Sequence, residues 1–112
     1  VIHVQNARTG QNMPVGIGLY KDYMQHLPFL SVENSMKKLK KPCLVVHGDS
    51  DGSVNSEAAQ TLCQWNPEAE LCIVQGADHV FGGSHPWEAP QLPPEMHAAC
   101  AKTISFFSCR YA

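Results

Sequence analysis

Hydrophobic and polar positions change rhythm several times along the chain, and each change predicts an element. Val1, Ile2 and Val4 open a β-branched, strand-like run. A turn follows at Ala7 to Gly10, and Asn12 to Ile17 can return as a second strand, with Pro14 tolerated only at an edge. From Leu19 the period lengthens. Leu19, Tyr20, Tyr23, Met24 and Leu27 fall on one helical face, and Pro28 is expected to stop that helix. Val32, Met36 and Leu39 predict another helical turn before Lys41 and Pro42.

The second part of the chain is patterned more sharply. Cys43 to His47 is a short apolar run without alternation, as in a strand buried on both faces. A helix is expected from Ser56 to Trp65, capped by Asn55 or Ser53, with Ala58, Ala59, Leu62 and Cys63 on its apolar side. Asn66, Pro67 and Glu68 break it, and Leu71 to Val74 reads as a second buried strand. Strand, helix and strand at this spacing predict a βαβ unit with parallel strands and a right-handed crossover. After a proline-rich loop from Pro86 to Pro94, a last helix is expected from about Glu95 to Phe107. Its expected inner face is Met96, Ala99, Cys100, Thr103, Ile104 and Phe107. The fold class is therefore α/β, with residues 1–41 as a separate hairpin and helix segment and 42–112 as the βαβ unit plus terminal helix.

Composition narrows the function classes. The chain has 112 residues, 44% hydrophobic and 16% charged, as in one small globular domain. A net charge of −2 offers no basic face for nucleic acid. The Lys37 to Lys41 run reads as a solvated helix end. No apolar run approaches the ~20 residues of a membrane span, and no leader sequence is evident. Opening on Val1 rather than Met, the chain reads as trimmed or as a fragment. The five cysteines form no Cys-x-x-Cys pair, so the expectation is reduced, buried thiols and a cytoplasmic setting.

The candidate chemistry follows from the strand ends. Ligands of open α/β sheets bind at the carboxyl edge. Asp51 lies four residues beyond His47, and His79 lies five beyond Val74. Parallel strands place both on neighbouring loops at one edge, where an aspartate can bind an imidazole Nδ1–H and fix its tautomer. Gly48 to Gly52 also fits G-x-S-x-G, which raises Ser50 as a nucleophile. An elbow at Ser50 would need two further strand ends to carry its acid and its histidine, and only one convincing strand remains.

Pro42 to Val54, with its H-G-x-x-D-x-x-V motif, resembles the acid-bearing segment of α/β-hydrolases, and Gly76 to Phe81 resembles their histidine loop, G-x-x-H-x-F. The resemblance covers about residues 42 to 107 and is nearest to the dienelactone-hydrolase-like and prolyl-oligopeptidase-like branch. It implies the carboxyl-terminal portion of a serine hydrolase acting on a carboxylic ester or related acyl bond, with residues 1–41 as a lid or insertion. By it Asp51 is the triad acid, His79 the base, and Ser50 only a loop neighbour. Two departures stand out: Asn55 replaces a frequent proline, and no nucleophile elbow or oxyanion hole is evident.

The implied substrate is a small acyl compound, with no cofactor, no metal, no nucleic acid and no membrane. Phe81, His85 and Trp87 are candidate pocket residues, and His47 is expected to contact loop backbone. Two rivals remain. One is a metal site built from His47, Asp49, Asp51, His79 and His85, whose ligand types suit zinc or manganese. The other is a non-catalytic hydrolase-like module that pairs with another chain. Strands apolar on both faces with little to cover them predict self-association or an upstream hydrolase half as partner.

Overall fold

The computed structural model describes residues 1–6 and 9–111. It is a mixed α/β chain that divides into two compact units, residues 1–40 and 41–112. Ala7 and Arg8, which belong to the expected first turn, lie outside the described residues.

In the first unit, β1 (Ile2–Gln5) and β2 (Asn12–Val15) form an antiparallel ribbon in which Ile2 faces Val15 and His3 faces Pro14. A two-stranded ribbon leaves each strand an open edge, which accommodates a residue without an N–H. Helix α1 (Ile17–Gln25) ends at His26, whose N–H donates to the Asp22 carbonyl at 3.0 Å. Pro28 does not stop this helix as expected. It sits in the first turn of α2 (Leu27–Leu30), where the missing N–H would have no helical partner anyway. In α3 (Val32–Lys38), Ser31 Oγ accepts the Asn34 N–H at 3.2 Å, Glu33 stands in the first turn, and Lys37 and Lys38 close the last. That charge order matches the helix dipole. None of the unit's described residues is buried.

The second unit is built on a parallel pair, β3 (Leu44–Gly48) and β4 (Glu70–Val74), with Leu44 facing Glu70 and Gly48 facing Val74. The crossover is α4 (Glu57–Trp65), which buries Ala59 and half-buries Leu62 and Cys63. Asn55 Oδ1 accepts the Glu57 N–H at 2.9 Å, so Asn55 rather than Ser53 supplies the side-chain cap. The strands are not buried on both faces. Glu70, Cys72 and Val74 face a covered side, whereas Leu71 and Ile73 are each 39% exposed.

Helix α5 (Pro94–Tyr111) is longer than expected and is rotated relative to the expected face. Met96, Ala99, Lys102, Thr103 and Phe106 turn inward. Phe106 is 3% exposed, while Ile104 and Phe107 are 65% and 51% exposed and Cys100 is also outside. A long-range charge cluster accompanies this rotation. Glu70 on β4 accepts from Lys102 Nζ at 3.1 Å and also from Arg110, whose guanidinium lies 3.9 Å over the Phe106 ring. All five cysteines are unpaired, with Cys43, Cys63 and Cys72 half-buried and Cys100 and Cys109 exposed. Among the described residues no helix is long and apolar enough to cross a membrane.

Phe106 and Phe107 are adjacent and chemically identical, so they report the rotation directly. Phe106→Ala should cost about 3 kcal/mol in urea denaturation, as truncation of a buried aromatic does, and Phe107→Ala less than about 1 kcal/mol. The reverse order would place the helix on its other face.

Candidate functional site

Two loops leave the carboxyl ends of β3 and β4 at the same edge and are tied together by backbone. The Asp49 N–H donates to the Val74 carbonyl at 3.2 Å, and the Ser50 N–H to the Ala77 carbonyl at 3.0 Å. Asp49 adds a third tie, its Oδ1 accepting the Gly76 N–H at 2.7 Å. This approach requires a glycine at the end of β3. A Cβ on Gly48 would stand 2.1 Å from the Ala77 carbonyl oxygen, well inside contact distance, and Ala77 itself is fully buried. Gly76 turns the second loop with φ +74°, a conformation that favours glycine.

The clamp sets the next residue of each loop. Asp51 turns one carboxylate oxygen back on its own loop, where Oδ1 accepts the N–H groups of Ser53 at 2.8 Å and Val54 at 2.9 Å. The other oxygen, Oδ2, accepts from His79 Nδ1 at 2.9 Å. The acid side chain is 6% exposed and the imidazole 51% exposed. The histidine loop is held from within by Asp78, whose Oδ1 accepts the N–H groups of Val80 at 3.0 Å and Gly82 at 2.9 Å. Phe81, at φ 53°, is the one non-glycine left-handed residue among those described. Its backbone reverses the chain directly after the imidazole.

These bonds fix the protonation pattern. The His79 hydrogen bond, above all, and the Val54 and Ser53 N–H groups draw the Asp51 carboxyl from its ordinary 3.8 down to about 2, against the opposing effect of burial. The carboxylate can only accept, so His79 Nδ1 carries the proton in the neutral ring. The Nε2 lone pair is then left on the exposed side of the pair, free to take a proton from a reacting group.

The remaining candidates separate. Ser50 is exposed and its Oγ donates to Asp49 Oδ1 at 3.1 Å. Among the described residues no serine or cysteine side chain is hydrogen-bonded to His79. His47 Nε2 donates to the Val54 carbonyl at 3.0 Å, the loop contact anticipated for it. Trp87 lines a cleft of about 190 Å³ with Gly83, Ser84, Leu92, Pro93 and Met96, and its Nε1–H donates to the Gln91 carbonyl at 3.2 Å. Phe81 and His85 do not line that cleft. Among the described residues no group of three or more His, Cys, Asp or Glu side chains is placed to hold a metal ion, and Asp49 and His85 do not join Asp51.

Sequence reasoning missed the organising part of Asp78. A signal was present, since an aspartate shortly before a Gly-Gly pair suits a side-chain-capped turn. It also missed how near His47 comes to the acid, with Nε2 3.4 Å from Asp51 Oδ2.

Because the Asp51 carboxyl is depressed in the folded chain, its contribution to stability is complete above its ordinary value and is lost as the pH falls through about 2. In ¹³C NMR of aspartate-labelled protein, the Asp51 carboxyl should titrate near 2 in the wild-type chain and return toward 3.8 in His79→Ala. A wild-type midpoint at the ordinary value would show that the bond to His79 is absent in solution. Gly48→Ala tests the clamp. Overpacking of this kind costs about 1–3 kcal/mol or more. The variant should lower the urea midpoint and raise the Asp51 titration together. An unperturbed variant would show that the loops do not depend on the Gly48 approach.

No family model and no curated protein matches the chain.

Proposed function

We propose that this chain carries the acid and base of a serine-hydrolase-type enzyme that cleaves a carboxylic ester or related acyl bond, and that it is the carboxyl-terminal portion of an α/β-hydrolase fold. The 2.9 Å bond between Asp51 Oδ2 and His79 Nδ1, with the acid shielded and the imidazole open, carries this reading. The parallel strand order and the loop motifs at residues 47–54 and 76–81 support it.

In this reading His79 Nε2 takes the proton of an attacking hydroxyl or thiol as that group adds to the acyl carbon. It then gives the proton to the departing alcohol, and the same two transfers with water release the acid product. Asp51 stays ionised throughout and stabilises the imidazolium that forms between the two transfers. The nucleophile comes from outside these 112 residues, since Ser50 is turned to Asp49 and no other serine or cysteine among the described residues meets His79. The donors that stabilise the oxyanion come from the same source. The two open edges of the β3–β4 pair suit the strands that such a portion would add.

The reading is tested on the complete reading frame that encodes this segment, with p-nitrophenyl butyrate as substrate. His79→Ala should lower kcat by about 10²–10⁴-fold. Asp51→Asn should cost about as much, because an amide can reverse the imidazole tautomer. Ser50→Ala should change kcat by less than about tenfold, or ~1.4 kcal/mol. A fluorophosphonate should label a residue outside positions 1–112. Labelling of Ser50 would overturn the assignment of the nucleophile. Absence of turnover in the wild-type protein would favour the second reading, a hydrolase-like module that binds a partner through the exposed Leu71 and Ile73 face.

A further inference from the structure

A second imidazole stands on the same carboxylate. His47 is the penultimate residue of β3, and its side chain is only 14% exposed. Its Nε2 lies 3.0 Å from the Val54 carbonyl oxygen and 3.4 Å from Asp51 Oδ2. A carbonyl only accepts, so His47 Nε2 carries the proton. Neutral His47 and His79 therefore hold opposite tautomers, and both approach the same oxygen, Asp51 Oδ2. Asp49, the nearest other acid in sequence, is turned away to the Gly76 N–H and the Ser50 hydroxyl.

The bonds close a ring. The rigid strand holds His47, His47 holds the Val54 carbonyl, and the Val54 N–H holds Asp51 Oδ1 at 2.9 Å. Both polar groups of one backbone residue are thereby fixed, one by the imidazole and one by the acid. A carboxylate whose Oδ1 is pinned at two N–H groups has its Oδ2 direction set as well, and that direction is toward His79.

We propose that His47 is a positioning residue for the site, acting through Val54 and Asp51 to hold the His79 imidazole in register. This rests on the hydrolase reading for its consequence in catalysis, although its structural part does not. The requirement is for a donor at the reach of Nε2. A glutamine amide nitrogen can extend to that position, whereas asparagine, one methylene shorter, falls short of it. A role in general polarity makes no such distinction, and His47→Met, which keeps the volume without a donor and should titrate like the asparagine variant, separates the missing donor from lost volume.

The experiment compares His47→Gln with His47→Asn by two measurements. The first is the Asp51 carboxyl titration by ¹³C NMR on the 112-residue chain. The midpoint should remain near the wild-type value in the glutamine variant and rise toward 3.8 in the asparagine variant. The second is p-nitrophenyl butyrate turnover by the complete reading frame. Glutamine should retain kcat within about threefold, and asparagine should lose about ten- to a hundredfold with KM changed less than about threefold. These losses suit a misplaced base rather than a missing one. If both variants titrate alike, whether as the wild type or with both shifted, His47 does not act through a placed donor and the inference falls. A clear contrast in the titration, with no turnover by any form, would uphold the positioning role and remove the hydrolase reading instead.

Discussion

Gly48 passes directly against the Ala77 carbonyl, and the geometry of the site follows from that approach. At that point the chain has no room for a side chain, and the absence of one lets the two loops share backbone hydrogen bonds. Buried backbone groups must be paired, and here each loop supplies partners for the other. The clamp lies directly between the strand ends and the two residues that meet beyond them. It converts a topological coincidence, two parallel strands ending at one edge, into a fixed distance between an acid and an imidazole.

The electrostatics follow from the same arrangement. Asp51 is shielded from water yet ionised, because three donors compensate for the lost hydration. A carboxylate held in this way is a strong orienting group and a poor proton acceptor. In the proposed reaction the proton traffic is confined to the exposed nitrogen of His79. The acid and the neighbouring His47 are each tied to the loop backbone and shielded, whereas the His79 imidazole is half exposed.

The sequence made some of this legible and not the rest, for identifiable reasons. Short unbroken apolar runs at 43–47 and 71–74, separated by a helical period, specify a βαβ unit locally, and the unit then dictates which loops are neighbours. Asp51 and His79 were accessible to that reasoning because each lies a few residues beyond a strand end. The rotation of α5 was not, since Phe106 and Phe107 both fit an apolar stripe, and the pairs that accompany the observed face join Glu70 to Lys102 and Arg110 from a distance in sequence. Pro28 was misread because proline both ends helices and begins them, and only the backbone on either side distinguishes the two. The exposure of Leu71 and Ile73 was hidden for a different reason. An apolar run states that a strand wants cover on both faces, not that its own chain provides it.

His79 is held by Asp51 with its proton on Nδ1 and its Nε2 open. The most direct measurement is a long-range ¹H–¹⁵N correlation spectrum of histidine-labelled protein at neutral pH, with His79 identified by substitution. The neutral ring of His79 should bear its proton on Nδ1, with an unprotonated Nε2 resonance. A neutral His79 found as the Nε2–H tautomer, or as a fast average of the two, would contradict it.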